Sequence, residues 1–380
     1  MKTQLENREL ELYVHIPFCV KKCDYCDFLS GPVSVETQEK YVTALEQEME
    51  TVKEGVGRNV VSVFIGGGTP SLLSPSHMER ILKQLYRKFN ITPDAEITME
   101  ANPGTLCLEK LETCRRWGVN RLSIGLQSPD DRELKMLGRI HTYREFVESF
   151  TIARNAGFDN INVDLMFAIP GQEYEGWIRN LKQTAELGPE HISAYSLIVE
   201  PGTPLAQRNL ELPSEDTEYR MYEDTGEILG EYGYEQYEIS NYARPGFACR
   251  HNAGYWKRTD YLGLGLGAAS LFDHRRFSNT SDMEEYIKDC TRPEKLRREE
   301  TMLTREDEMG EFMFLGLRMA EGISKAEFED IFGCNIEAVY GSVLNKYKNM
   351  SLLAEEDNRI FLTRRGIHVS NTIMADFLLP

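Results

Sequence analysis

Short β-rich runs alternate with amphipathic stretches through the first half of this 380-residue chain, and no other feature limits its fold so strongly. The runs are LYVHI at 12–16, VVSVFI at 60–65, AEITME at 95–100, RLSIGL at 121–126, INVDLMFAI at 161–169 and HISAYSLIV at 191–199. Between them lie stretches such as YVTALEQEMETVK and MERILKQLYRKF, whose apolar residues recur every three or four positions, as on one face of a helix. Strands alternating with crossover helices pair in parallel. Six such units fall short of the eight that close a barrel. The expected fold is therefore α/β, with a partial (β/α)6 barrel over residues 1–215.

Beyond the barrel the composition changes. Residues 216–290 are polar and aromatic, with YEDTGEILGEYGYEQYE, HNAGYW and GLGLGAAS, and are expected to form an α+β extension. TRPEKLRREETMLTRED, 291–307, is dense in charge and reads as a linker. Residues 308–380 read as three helices and a hairpin, a winged-helix-like helical domain. A net charge of −18 argues against a nucleic-acid partner, because phosphate binding needs a basic footprint. The opening MKTQLENRELEL lacks the apolar core of a signal peptide, and no apolar run approaches the ~18 residues that span a bilayer. The expected location is cytoplasmic, so the eight cysteines read as reduced thiols or metal ligands.

The unusual residues follow the strands, at the rim where parallel barrels build their sites. Cys19, Cys23 and Cys26 come after the first run, spaced Cx3Cx2C. Three thiolates can hold three irons of a [4Fe–4S] cube and leave the fourth open to a chelating ligand. The amino and carboxylate groups of S-adenosylmethionine fit that role. The alternative is a zinc site with His15 as fourth ligand. Gly66-Gly67-Gly68-Thr69-Pro70 follows the second run, so its bare backbone can approach a ligand. It lacks the GK[ST] of a phosphate-binding loop, and a plain strand-to-helix turn is its other reading. Glu100 and Asp164 put carboxylates at the mouth, suited to an ammonium group or ribose hydroxyls, or else to caps and salt bridges.

YVHIPFCxxxCxxC, GGGTPS and the ends of strands three to five resemble the radical S-adenosylmethionine family, in the branch around oxygen-independent coproporphyrinogen III oxidase. The resemblance covers nearly the whole chain. It implies that Cys19, Cys23 and Cys26 hold the cluster, whose electron cleaves the sulfonium to a 5′-deoxyadenosyl radical. It places Tyr13 against the cofactor, with Gly67, Gly68 and Thr69 at its methionine end. Glu100, Gln127, Arg139 and Asp164 fall at its remaining contacts, and Arg139 would pair with a carboxylate.

Two departures separate the chain from the oxidases. Their fourth cysteine, two positions after the third, is replaced by Phe28, and only twelve residues precede Tyr13 where the oxidases carry a longer segment. In addition, His251-Asn252-x-x-Tyr255-Trp256 resembles the signature of the sister branch, the HemW-like haem chaperones. That likeness implies a haem site with His251 as iron ligand, or Cys249 as an alternative thiolate. It also implies haem-accepting proteins as partners, some of them membrane-bound and met peripherally. The alternative function is the oxidative decarboxylation of coproporphyrinogen III. No CxxCH motif supports c-type attachment. His191 reads as structural. Gly263-x-Gly265-x-Gly267-Ala268 fits a dinucleotide fingerprint only superficially, and Cys107, Cys114, Cys290 and Cys334 read as ordinary thiols.

Overall fold

A computed structural model of the chain describes residues 9–379; the charged residues 1–8 and the terminal Pro380 lie outside the described residues. The six expected strands are present as β1 Glu9–Ile16, β2 Asn59–Gly67, β3 Asn90–Ala101, β4 Arg121–Gln127, β5 Ile161–Phe167 and β6 His191–Ser196. They pair in parallel in chain order. The helices between them are α1 Val35–Thr51, α2 Pro75–Lys88, α3 Leu108–Arg116, α4 Asp131–Met136, α5 Tyr143–Asn155 and α6 Tyr174–Ala185. Local chemistry sets where they begin: Ser34 and Ser74 cap α1 and α2, and Thr142 with Glu145 forms a capping box on α5. Both faces of the sheet are covered, so the consecutive residues Leu122, Ser123 and Ile124 of β4 are all buried. Parallel pairing brings every strand's C-terminal end to one rim.

The sheet continues past the six strands on both sides. After α7 Glu215–Glu231, β7 Glu235–Glu238 and β8 Asn241–Ala243 add antiparallel to β6. The chain then crosses back through α8 Arg250–Trp256 to the opposite side. There β9 Tyr261–Leu264 pairs parallel with β1, and β10 Ala269–Phe272, β11 Arg275–Asn279 and β12 Arg297–Met302 follow antiparallel. The result is one open twelve-stranded sheet with β12 and β7 at its edges. Because β9 runs into a strand, not a helix, the glycines at 263, 265 and 267 do not belong to a dinucleotide-binding unit.

The stretch 291–307, expected as a linker, contains regular structure. It follows α9 Met283–Asp289 and holds α10 Pro293–Leu296 and the edge strand β12. Its charge is that of an edge strand with most side chains in solvent. Several are paired, Arg297 with Glu54 and Arg298 with Glu285 at 2.5 Å.

The C-terminal segment has its own core. It comprises α11 Arg305–Gly316, β13 Ile323–Ser324, α12 Lys325–Phe332, α13 Ile336–Asn349, β14 Leu353–Glu356 and β15 Arg359–Leu362. Two short helices not expected from the sequence, α14 Arg364–His368 and α15 Ser370–Ala375, return Ile373 and Phe377 to the core formed with Phe328, Tyr340 and Leu344. This unit sits against the barrel. Arg258 pairs with Glu311 at 3.0 Å and Glu308 at 3.2 Å, and Arg318 lies 4.2 Å over the Trp256 ring.

Candidate functional site

The loop after β1 carries three half-buried, unpaired thiols, Cys19, Cys23 and Cys26. It is closed at its base, where the Cys19 amide donates to the Gly31 carbonyl and the Gly31 amide donates to that of Pro17, both at 3.0 Å. Its middle is pinned at Asp24, which donates to the Leu137 carbonyl at 3.1 Å and forms an ion pair with Arg208. Two donors face the sulfurs: Thr69 Oγ1 at 3.6 Å from Cys19 and Arg139 Nη1 at 3.4 Å from Cys23. Burial pushes the Cys26 thiol up. Among the described residues no three His, Cys, Asp or Glu side chains gather as for a single ion. A cube needs no such focus, since each cysteine binds its own iron. His15 Nε2 donates to the Leu29 carbonyl at 2.9 Å and its Nδ1 is bonded to the Tyr13 hydroxyl at 3.0 Å, so both ring nitrogens are hydrogen-bonded.

The glycine turn fits against this loop. Gly67 has φ +114°, and a Cβ there would strike the His15 ring at 2.6 Å. A Cβ on Gly68 would sit 2.6 Å from the Phe18 carbonyl oxygen and 3.0 Å from Cys19 Sγ. Only bare backbone permits that approach.

One cavity collects the three cysteines with Gly67, Gly68, Glu100, Gln127, Arg139 and Asp164. Glu100 accepts from the Gly67 amide at 2.9 Å, and burial, reinforced by Asp164, pushes its carboxyl up to about 8. Burial also raises Asp164, against hydrogen bonds from Asn162 at 2.7 Å and Ser123 at 3.3 Å. Arg139 spends Nη2 on Asn102 Oδ1 (2.8 Å) and the Gly125 carbonyl (2.7 Å), while its buried Nε lacks an acceptor. A buried donor without a partner suits a bound carboxylate, and Glu100 suits an ammonium group. The chemistry of this wall fits the amino-acid end of S-adenosylmethionine beside the cysteines.

Two expected contacts lie elsewhere. Thr69 does not line this cavity; held by Asn102 Nδ2 at 2.7 Å, it supports Cys19. Tyr13 faces a second cavity of about 760 Å³, joined to the first through Phe28, Gly67 and Glu100. The second cavity is lined by Tyr255, Trp256, Tyr261, Leu271, Phe314 and Leu315, together with the Arg276–Glu311 pair (2.7 Å).

The HNxxYW segment is divided between two environments. The first turn of α8 is buried in the barrel, where Glu96 accepts from the amides of Arg250 (3.0 Å) and His251 (3.2 Å) and from Cys249 Sγ (3.4 Å). A carboxylate meeting the free amides of a helix start is a stable pairing. His251 is 1% exposed and stacks on Phe64 at 5.2 Å. Its Nδ1 is bonded to Ser62 Oγ at 2.8 Å and its Nε2 to the Tyr255 hydroxyl at 3.0 Å, and burial pushes its pKa down to about 3. His251 and Cys249, the expected iron ligands, do not line the cavity, and both nitrogens of His251 are hydrogen-bonded. Tyr255 and Trp256, at the other end of the motif, do line it. His191 is buried, bonded to Asn162 Oδ1 at 2.6 Å and the Tyr237 hydroxyl at 2.9 Å.

Comparison with known proteins gives this geometry a context. Residues 13–183 match the family model described as Radical SAM superfamily, and 303–369 match that of the HemN C-terminal domain. Haem chaperone HemW of Lactococcus lactis is 36% identical over 97% of each chain. That of Bacillus subtilis is 36% identical over 96% of this chain and 98% of its own. The chain belongs to the haem chaperone HemW family. HemW of Escherichia coli is 44% identical over 68% of this chain and 69% of its own. The fold is also that of the Escherichia coli coproporphyrinogen III oxidase HemN, a radical SAM enzyme, with TM-score 0.86 and 26% identity over 98% of this chain and 91% of that one.

Within this HemW-family chain, Phe28 stands 62% exposed at the boundary of the two cavities. Asn102 and Tyr25 also belong to the cofactor cavity and were missed in the sequence. Asn102 could have been found, since it follows Glu100 at the end of β3. Tyr25 had only its place between two cysteines to mark it. The lining that Tyr261, Leu271, Phe314 and Leu315 give the second cavity had no local signal.

Proposed function

We propose that this chain is a haem chaperone that carries a [4Fe–4S] cluster on Cys19, Cys23 and Cys26 with S-adenosylmethionine at the open iron, binds haem, and passes it to acceptor proteins. The observation that carries the reading is the pair of joined cavities, one with the cysteines and cofactor-binding groups, the other aromatic and of a size that suits a flat macrocycle. When bound, the reduced cluster supplies an electron to the cofactor's sulfonium. The chain's own residues do the rest: Glu100 holds the ammonium, Arg139 the carboxylate, and Gly67 and Gly68 bring backbone close. Asp164 and Gln127 face the same cavity from β5 and β4. Among the described residues no helix is long and apolar enough to cross a membrane. The reading is of a cytoplasmic protein that meets its acceptors, membrane-bound ones included, at its outer surface.

The test is anaerobic. The cluster is reconstituted in the wild type and in the Cys19→Ala/Cys23→Ala/Cys26→Ala variant, haem is added, and spectra and iron content are followed. Apo-haemoprotein acceptors and coproporphyrinogen III are then offered to the same samples. A cluster only in the wild type, stoichiometric haem, transfer to an acceptor and no porphyrin product are expected. Product formation would establish the oxidase function instead, and absence of haem binding would overturn the chaperone reading.

A further inference from the structure

We infer that Asn102 positions two hydrogen-bond donors on the cysteine sulfurs, Thr69 on Cys19 and Arg139 on Cys23, and thereby raises the reduction potential of the cluster those cysteines hold. The inference rests on the cluster of the proposed function and adds the residue that tunes it.

The directions of these bonds follow one from another. A guanidinium has donors only, so the Asn102 atom 2.8 Å from Arg139 Nη2 is the amide oxygen. The amide nitrogen is thereby turned to the other side, where it lies 2.7 Å from Thr69 Oγ1 and can only donate to it. The Thr69 hydroxyl accepts there, and its single proton goes to Cys19 Sγ at 3.6 Å. The second arm is the guanidinium itself. Its Nη2 is held by Asn102 and by the Gly125 carbonyl at 2.7 Å, and its Nη1 donates to Cys23 Sγ at 3.4 Å.

Asn102 is itself fixed. It follows β3 directly, where its amide donates to Ser71 Oγ at 3.3 Å and its carbonyl accepts from the Thr105 amide at 3.2 Å and hydroxyl at 2.6 Å. Gly125 of β4 permits the close approach, since a Cβ there would crowd Asn102 Oδ1 at 3.1 Å. Main chain and side chain are both committed, as a residue that holds two donors at a fixed aim requires.

Hydrogen bonds to the sulfurs and nearby charge are among the factors that set the potential of an iron–sulfur cluster. Reduction brings in one electron from a low-potential one-electron donor and adds one negative charge, with no bond made or broken. A hydrogen bond is stronger on the more negative acceptor, so Thr69 and Arg139 both favour the reduced form. Asn102 touches neither sulfur and acts through these two.

The test is a potentiometric titration of reconstituted full-length protein, with dithionite as reductant and the electron paramagnetic resonance of the reduced cluster as readout. Iron content and circular dichroism check that each variant is loaded and folded. Asn102→Ala is expected to shift the reduced-to-oxidised ratio at a given potential about tenfold towards oxidised, a midpoint about 59 mV more negative. Thr69→Val deletes only the donor to Cys19 and should shift it the same way by less, whereas Thr69→Ser should keep the wild-type value. Combined with Thr69→Val, Asn102→Ala should add less than it does alone, because one arm is already gone. An unchanged midpoint in Asn102→Ala, or full additivity in the double variant, would overturn the inference. If Asn102→Ala failed to load, Asn102→Asp serves: its carboxylate still accepts from Arg139 but draws the Thr69 proton to itself. Adding Thr69→Val to it should then change nothing, and a further fall would overturn the inference. A wild type that assembled no cluster would overturn the cluster reading itself.

Discussion

Glu100 and Asp164 are acids sunk in one wall of the cofactor cavity, and burial with mutual repulsion holds Glu100 protonated up to about 8. An ammonium group needs the carboxylate, so binding below about pH 8 must release a proton. The affinity for S-adenosylmethionine is expected to improve by up to about tenfold per pH unit towards pH 8 and then level off, as calorimetric titration across that range would register. Glu100→Gln should weaken binding by about 10–100-fold and remove the pH dependence, at unchanged cluster content. A pH dependence that persisted in the variant would assign the proton to another group. Stability obeys the same shift. A folded-state value of about 8 against 4.5 gives a contribution present below about pH 4.5 and lost as pH rises through about 8. Glu11, buried and raised to about 9, adds a loss of the same sign. The cofactor-free protein should therefore melt progressively lower from about pH 5 to 9, less steeply in Glu100→Gln.

At the scale of elements, the turn after β2 and the cysteine loop after β1 are machined to each other's shape. Gly68→Ala places a methyl group against the Phe18 carbonyl and the Cys19 sulfur, which must give way. The expected result is a folded protein with reduced iron per chain after reconstitution, since the displaced strand end moves a ligand without uncovering the core; full iron loading would show that the loop adapts. Helix α11 gives a second case. Thr304 and Asp307 satisfy its first amides reciprocally, and Thr304→Ala is expected to cost about 1 kcal/mol, read as a lowered midpoint in chemical denaturation.

For the whole molecule, the question is what holds the C-terminal unit against the barrel, because α11 supplies Glu311, Phe314 and Leu315 to the second cavity. Arg258 is one clamp, pairing with two poorly exposed carboxylates of α11, Glu308 and Glu311. Arg258→Met should lower stability by about 1–3 kcal/mol, as removal of one partner from a largely buried cluster does, and loosen that wall. Faster hydrogen exchange in α11 together with weaker haem binding is expected. Faster exchange with unaltered haem affinity would mean the wall plays no part in binding.

Strand existence, parallel order and the rim location were legible in the chain because they depend on local periodicity and on the short connections that parallel units need. The cysteine loop and the glycine turn that packs against it were legible for a related reason: each is built from consecutive residues. The reach of the sheet beyond β1 was not. β9 to β12 are short, and β12 is charged and exposed, so their strand character comes from the neighbour they pair with. The same limit applied to the surroundings of His251, because Ser62 and Phe64 come from β2 and Glu96 from β3, far away along the chain. Sequence alone determined the cofactor-bearing scaffold, because its signals lie within single segments. Only the tertiary structure decided which end of HNxxYW faces a cavity, because burial is a property of what the rest of the chain places around a side chain.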